Sequence, residues 1–460
     1  MKHDLFFDDL SETYIKLIPV DSHHLNELQS QISEMQWQYL LDVGFNAQAK
    51  SFLHLPDANG KVDCVLWGVE GLSQLELLGY LKRLLPEGNY KLDDVLNLIS
   101  TPELAYLGFA LGSYQFVSYH TSRASKSVKL YWPESDIDAV ILKEIEAVYF
   151  VRNLINTPAN DLGPIQFAME AETVAKSFNA DFECIVGDQL LAENYPLIHA
   201  VGRASITPPR LVKFSWGDKT NPHIALVGKG VCYDTGGLSL KPTAGMKLMK
   251  KDMGGAAQTL GLAQLIMSYQ LPVRLTVYLP MVENAIGGNA YRLGDVINAR
   301  NGKSVEILNT DAEGRLILAD ALTAASETDA ELIIDFATLT GACRVALGMD
   351  IGAIYSNNDT IARAIETRSE IVEDLLWHMP LYSHYKKGLK GRVAELTNVS
   401  SSPYAGSIVA ALFLEEFVGN KPWVHFDISG WRDTEQAISE IGGDAIGLRA
   451  VFDYLCSRYA

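Results

Sequence analysis

Residues Val305–Leu322 read VEILNTDAEGRLILADAL. The apolar run Val305–Leu308 predicts a strand. An acidic turn carrying Asp311 and Glu313 follows, and the pattern from Arg315 to Ser326 predicts a helix. Outward from this unit the same alternation repeats. Strands are expected at Leu211–Trp216, Ile224–Val227, Val273–Leu279, Leu332–Phe336, Ala353–Ser356 and Val424–Ile428. Helices are expected at Gly255–Ser268, Thr360–Trp377, Ile408–Val418 and Gly447–Ser457. Strands alternating with helices predict a mostly parallel sheet with helices on both faces. In such sheets the ligand site lies beyond the carboxyl ends of the strands. The residues just after each strand are therefore the candidates.

The first part of the chain mixes expected strands (Tyr14–Val20, Val62–Val69, Val128–Trp132) with expected helices (Gly71–Leu84, Pro102–Ser118) and reads as a small α/β domain. A long helix follows, with Ile137, Ile141, Ile145, Val148, Arg152 and Ile155 on one stripe. Pro158 stops it. The expected fold is α/β in two parts. Residues 1–134 form a smaller N-terminal α/β domain, 135–165 a linker helix, and 166–460 a larger catalytic domain with a mostly parallel sheet flanked by helices.

Composition narrows the function. Of 460 residues 48% are hydrophobic and 20% charged, the mixture of a globular protein. Lys and Arg total 38 against 56 Asp and Glu, a formal charge of −18. A field of that sign repels phosphate backbones and anionic lipid surfaces, which disfavours nucleic-acid binding. The five cysteines are scattered without a CxxC pair and read as buried free thiols of a reducing compartment. The start, MKHDLFFDDL, lacks the basic and apolar regions of a signal peptide, and no apolar run approaches the roughly 20 residues of a membrane span. A cytoplasmic location is expected.

The strand ends carry an unusual set. IALVGKGVCYDTGG (Ile224–Gly237) supplies Lys229 and Asp234, SLKP supplies Lys241, and KKDMGG supplies Asp252. With Asp311 and Glu313 these make four carboxylates and two lysines at one rim. Clustered carboxylates repel one another unless cations sit among them. Two divalent metals would relieve that, and oxygen-rich ligation suits Zn, Mn, Mg or Co. A DxE pair alone is more often a helix N-terminal feature than a metal site. Nucleotide-loop readings fail: Tyr233 breaks GxGxxG, and Ile297 stands where Gly302-Lys303-Ser304 would need glycine. There is no GxSxG elbow and no HExxH.

NTDAEGRLILADAL resembles the signature of the leucyl aminopeptidase family of dimetal peptidases. The resemblance extends through VGKGVCYDTGGLSLKP, MKKDMGGAA, ENAIGGNAYRLGDV, DFATLTGA and RNLINTPANDLGP, and covers about residues 150–350. It implies that Lys229 and Asp252 ligate one metal, Asp311 the other, and that Asp234 and Glu313 bridge both. It implies that Lys241 faces the scissile carbonyl and that Arg315 holds a bicarbonate ion. Leu339 would bind the peptide, while Met249, Thr338 and Gly341 would line the first side-chain pocket. Substrates would be peptides with a free N-terminus, and the assembly a homohexamer. The chain departs from the family pattern at Leu293, in Ser400–Leu414 and beyond Asp427. The rival readings are a narrow dipeptidase, such as one acting on Cys-Gly, and, from another class, an idle scaffold or DNA-binding regulator.

Overall fold

The computed structural model describes residues 2–120, 126–133 and 140–460. Ile137 and the expected boundary between residues 134 and 135 lie outside the described residues. The chain divides into two compact units: Met1–Tyr149 with Thr434–Ile441, and Phe150–Asp433 with Gly442–Ala460. The division falls within the helix Val140–Asn156.

The first unit holds a six-stranded sheet in the order Phe6–Phe7, Val128–Tyr131, Gly88–Leu92, Ile15–Val20, Val62–Gly68, Phe52–Pro56. The helix expected over Gly71–Leu84 is confined to Leu81–Leu84. Gly71 turns left-handed at φ 71°, and the Leu77 carbonyl accepts a hydrogen bond from the Trp67 indole at 2.8 Å. The residues between are turns.

The second unit is built on nine strands. They are β1 Asp181–Val186, β2 Arg210–Trp216, β3 His223–Gly228, β4 Gly230–Asp234, β5 Arg274–Asn284, β6 Leu332–Ala337, β7 Gly352–Ser356, β8 Leu376–His378 and β9 Trp423–Asp427. Their order is β8-β7-β9-β6-β3-β5-β2-β1, with β4 paired to β5. The centre, β9-β6-β3-β5, is parallel, while β7 against β9, β2 against β5 and β1 against β2 are antiparallel. β3 and β6 are buried along their whole lengths, as expected of parallel strands covered on both faces. The helices α1 (Gly254–Tyr269) and α2 (Glu313–Ser326) are buried nearly all round, so the site rests on core helices.

Three further expectations change. The run Val305–Leu308 is a strand only over Ser304–Glu306, and it belongs to a separate three-stranded sheet with Val296–Asn298 and Leu396–Thr397. The helix expected over Thr360–Trp377 ends at Ile371, because Glu373 is left-handed at φ 51° and the Asp374 carboxylate turns to accept from the Gly447 and Arg449 backbone. Trp377 then lies in β8. All five cysteines are free, but only Cys64, Cys232 and Cys343 are buried; Cys184 and Cys456 are half-buried.

Candidate metal centre

The carboxyl ends of the central strands converge on one site. Lys229 directly follows β3, and Asp234 ends β4. Asp252 sits in the short 3₁₀ turn Met249–Met253 that leads into α1. Thr338 and Leu339 follow β6. Asp311 and Glu313 stand at the start of α2, reached from the small sheet and not from a central strand. Thr310 fixes that approach: its hydroxyl donates to the Gly236 carbonyl and accepts from the Ser239 N–H, both at 2.7 Å. Gly236 has φ 86°, and a Cβ there would come within 2.8 Å of the Asp311 carboxylate. A Cβ at Gly314 would strike the Lys229 side chain at 2.5 Å. Glycine at these two positions is what lets the lysine and the carboxylates meet.

Asp234, Asp252 and Glu313 are buried, and each offers an oxygen within 4.8 Å of the others. Lys229 Nζ lies 2.8 Å from Asp252 Oδ2 and 3.0 Å from Glu313 Oε1, and it donates to the Thr338 carbonyl at 3.0 Å. Lys241 Nζ lies 2.8 Å from Asp234 Oδ2 and 2.5 Å from Asp311 Oδ1. Asn284 Nδ2 donates to Asp234 Oδ1 at 2.8 Å.

The charges respond to burial and to one another. Burial, reinforced by Asp234, pushes Glu313 well above the carboxylate range, and burial with Asp252 does the same to Asp234. Burial opposes the Asp252 carboxylate too, but Lys229 and Lys251 outweigh it and its pKa falls. Burial opposes the Lys229 ammonium, yet Asp252 and Glu313 carry its pKa upward. Burial draws Arg315 down to about 10 against Glu313 and Asp427.

The donor set fits divalent cations. Four carboxylates face two lysines, and Glu313 Oε2 is buried without a hydrogen-bond partner. A buried carboxylate oxygen left so is costly, and a cation satisfies it. Lys229, if it served as a ligand, would have to be a neutral amine, and binding a metal there would release its proton.

Lys229, Asp234, Lys241, Met249, Asp252, Asp311, Glu313, Thr338, Leu339 and Gly341 line one cavity of about 240 Å³. Arg315 does not line it. Its guanidinium is buried, Nη1 donates to the Asn398 carbonyl at 2.7 Å, and Nε has no partner. It forms no ion pair with Asp311 or Glu313. Sequence reasoning missed four lining residues: Lys251, Thr340, Arg344 and Ile428. It also missed Asp427, at the end of β9, whose carboxylate accepts from the Leu339 and Thr340 N–H groups at 3.1 Å and so shapes the strand-end loop. Lys251 lay inside the quoted KKDMGG, and Asp427 obeys the strand-end rule, so both could have been found.

A buried carboxylate cluster at the carboxyl edge of a parallel sheet defines a metal-binding α/β protein. The chain belongs to the cytosol aminopeptidase family: residues 149–452 match its catalytic domain, and residues 15–133 match the M17 aminopeptidase N-terminal domain. A probable cytosol aminopeptidase of Rhodopirellula baltica is 40% identical over 313 residues, covering 67% of this chain and 62% of the relative. Peptidase B of Yersinia pseudotuberculosis is 41% identical over 327 residues, covering 69% and 76%. The match to the Rhodopirellula relative thus spans less than two thirds of that protein. Over nearly the whole chain, the crystal structure of cytosol aminopeptidase from Coxiella burnetii is similar, with TM-score 0.93, 42% identity and 99% of each chain covered. Bottromycin maturation enzyme BotP, in complex with Mn, has TM-score 0.87 and 30% identity, covering 97% of this chain and all of that one.

Proposed function

We propose that this chain is a dimetal aminopeptidase that releases N-terminal amino acids from peptides with a free amino terminus. The observation that carries this is the buried Asp234–Asp252–Glu313 cluster, with Lys229 among the three carboxylates, opening on one cavity. Lys229 and Asp252 would hold one ion, Asp311 the other, and Asp234 and Glu313 both. Two divalent ions there would supply a Lewis acid and a nucleophile available near neutral pH. Zn or Mn is the proposed metal, with Mg and Co also compatible with the oxygen-rich set; the Mn complex of BotP supports metal binding at this fold.

The chain's own groups divide the remaining work. Lys241 keeps its charge because, although burial opposes it, Asp234 and Asp311 hold its proton on. It would face the carbonyl oxygen and stabilise the negative charge that grows there. Arg315 would hold bicarbonate as proton acceptor through its planar fork, and its buried Nε has a donor to spend. Leu339 would bind the peptide main chain. Met249, Thr338 and Gly341 would contact the first side chain. A cytoplasmic homohexamer belongs to the same proposal, its location supported by the named cytosol aminopeptidases among the relatives. Among the described residues no helix is long and apolar enough to cross a membrane.

The test is exopeptidase selectivity. Leu-p-nitroanilide should be hydrolysed and its N-acetyl derivative should not. Equal hydrolysis of both contradicts the reading.

A further inference from the structure

We propose that Asp427 is a positioning residue for one metal ion of the pair: by clamping the turn that leaves β6 it holds Lys229 and Asp252 in place, and it leaves the support of the other ion untouched. This rests on the dimetal reading above and gives the two ions separate supports.

Asp427 ends β9 and is fully buried. β9 runs parallel to β6 with Ala337 opposite Asp427, so the carboxylate stands beside the turn Thr338–Gly341. Its Oδ1 accepts the Leu339 and Thr340 N–H groups, each at 3.1 Å, and its Oδ2 accepts the Thr340 hydroxyl at 2.6 Å. The Thr340 oxygen in turn caps the helix Gly341–Leu347 by accepting from the Cys343 N–H at 3.1 Å. Two residues earlier on the same face of β9, His425 is tied to Asp335 of β6 at 2.6 Å, which fixes the two strands at the base of the clamp. Without the carboxylate, two backbone N–H groups of the turn lose their acceptor, and the turn must move to find another.

The clamped turn reaches the metal centre through Thr338. Its carbonyl accepts from Lys229 Nζ at 3.0 Å, and its hydroxyl donates to Asp252 Oδ1 at 2.9 Å. Each bond aims a ligand. A neutral amine that gives one N–H to a fixed carbonyl has the direction of its lone pair set. Asp252, with Oδ1 taken, is left to present Oδ2, which makes no hydrogen bond and lies 2.8 Å from Lys229 Nζ. Thr338 has little room to drift: a Cβ at Gly254 or at Gly430 would come within 3.0 Å or 2.9 Å of its methyl group. The remaining ligands are held from elsewhere. Asp234 accepts from the Gly236 N–H and from Asn284 Nδ2, both at 2.8 Å. Asp311 follows Thr310, which is anchored on Gly236 and Ser239. None of these bonds involves Asp427 or the turn it clamps.

The experiment counts Mn²⁺ bound per chain as the Mn-loaded enzyme is equilibrated against falling free Mn²⁺ set by a chelator buffer. The wild type should release two equivalents. In Asp427→Ala one equivalent should leave at about 10–100-fold higher free Mn²⁺, the usual effect of losing a group that orients a ligand, and the other at the wild-type concentration. Asp311→Asn, which alters a ligand of the other ion alone, should retain one equivalent, and adding Asp427→Ala should weaken that one by the same factor. Asp427→Asn, whose amide oxygen still accepts both N–H groups, should stay close to the wild type. If Asp427→Ala does not fold, the near-isosteric Thr338→Val, which deletes only the hydroxyl bonds to Asp252, should shift the same single equivalent in the same direction. Equal weakening of both equivalents, or no shift in either variant, overturns the inference and leaves the dimetal reading standing. A wild type that binds fewer than two Mn²⁺ overturns that reading as well.

Discussion

Two buried charge clusters in the second unit invite comparison. In one, Asp444 sits between Arg152 and Arg432. Its Oδ1 accepts from Arg152 Nε at 2.7 Å and the Ala445 N–H at 2.9 Å, and its Oδ2 from Arg432 Nε at 2.7 Å. Both carboxylate oxygens are answered, and although burial opposes the charge, the two arginines hold its pKa below the usual range. In the other, four carboxylates share two lysines, Glu313 Oε2 has no partner, and the pKa values of Asp234 and Glu313 rise. The first cluster is complete within the chain and holds it together. The second is over-acidic and opens on a cavity. Burial of charge is common to both; incompleteness marks the one that binds something.

Mutations should separate the two, beginning with the largest effect. Asp444→Asn leaves two arginines facing a neutral amide in the interior. It should destabilise the protein by about 3–5 kcal/mol in denaturant unfolding, while the fraction still folded keeps its kcat. Glu313→Gln should do the reverse. It should lower kcat/KM by at least about 10²–10³-fold, the scale of losing a key electrostatic group, and reduce bound metal. Thermal unfolding of the metal-free protein should meanwhile move upward, because a neutral side chain relieves the repulsion. If both variants lose stability alike, the contrast drawn between the clusters fails.

Lys241→Ala should keep both metals and the fold while kcat falls about 10²–10³-fold. Arg315→Ala should lose about 10² in kcat, and added bicarbonate should help the wild type more than the variant. Metal analysis alongside kinetics checks both, since loss of metal in step with activity would make either residue a ligand or a structural partner.

The smallest effect is on acid stability. The folded pKa of Asp444 is depressed below the unfolded carboxylate value of about 3.9. Its contribution is therefore fully present above roughly pH 4 and is lost as pH falls through the folded pKa. Unfolding curves between pH 5 and pH 2 should steepen in the wild type relative to Asp444→Asn. Parallel curves would show that Asp444 is not the titrating group.

Much of this was legible before the structure. The strand-end rule pointed to Lys229 and Asp234 because parallel strands with covered faces announce themselves as continuous apolar runs, whereas Thr338 came only from the family resemblance. Val305–Leu308 looked the same locally but joined a different sheet, since an apolar run does not say which neighbour it pairs with. Pairing likewise hid β8: Trp377 continues a helical pattern, and only the left-handed Glu373 and the diverted Asp374 end it. Gly71–Leu84 kept helical spacing, yet a tertiary bond from Trp67 claimed a carbonyl the helix needed. Arg344 escaped for a different reason. Nothing local distinguishes it from a surface arginine; only the fold brings it to the cavity that the strand ends line.

The central claim, that the incomplete cluster is a two-metal catalytic site, is tested most directly by titrating metal-free protein with Mn²⁺ while following Leu-p-nitroanilide hydrolysis. The account predicts negligible turnover without metal and a plateau at two equivalents per chain. Full turnover in the metal-free protein would contradict it.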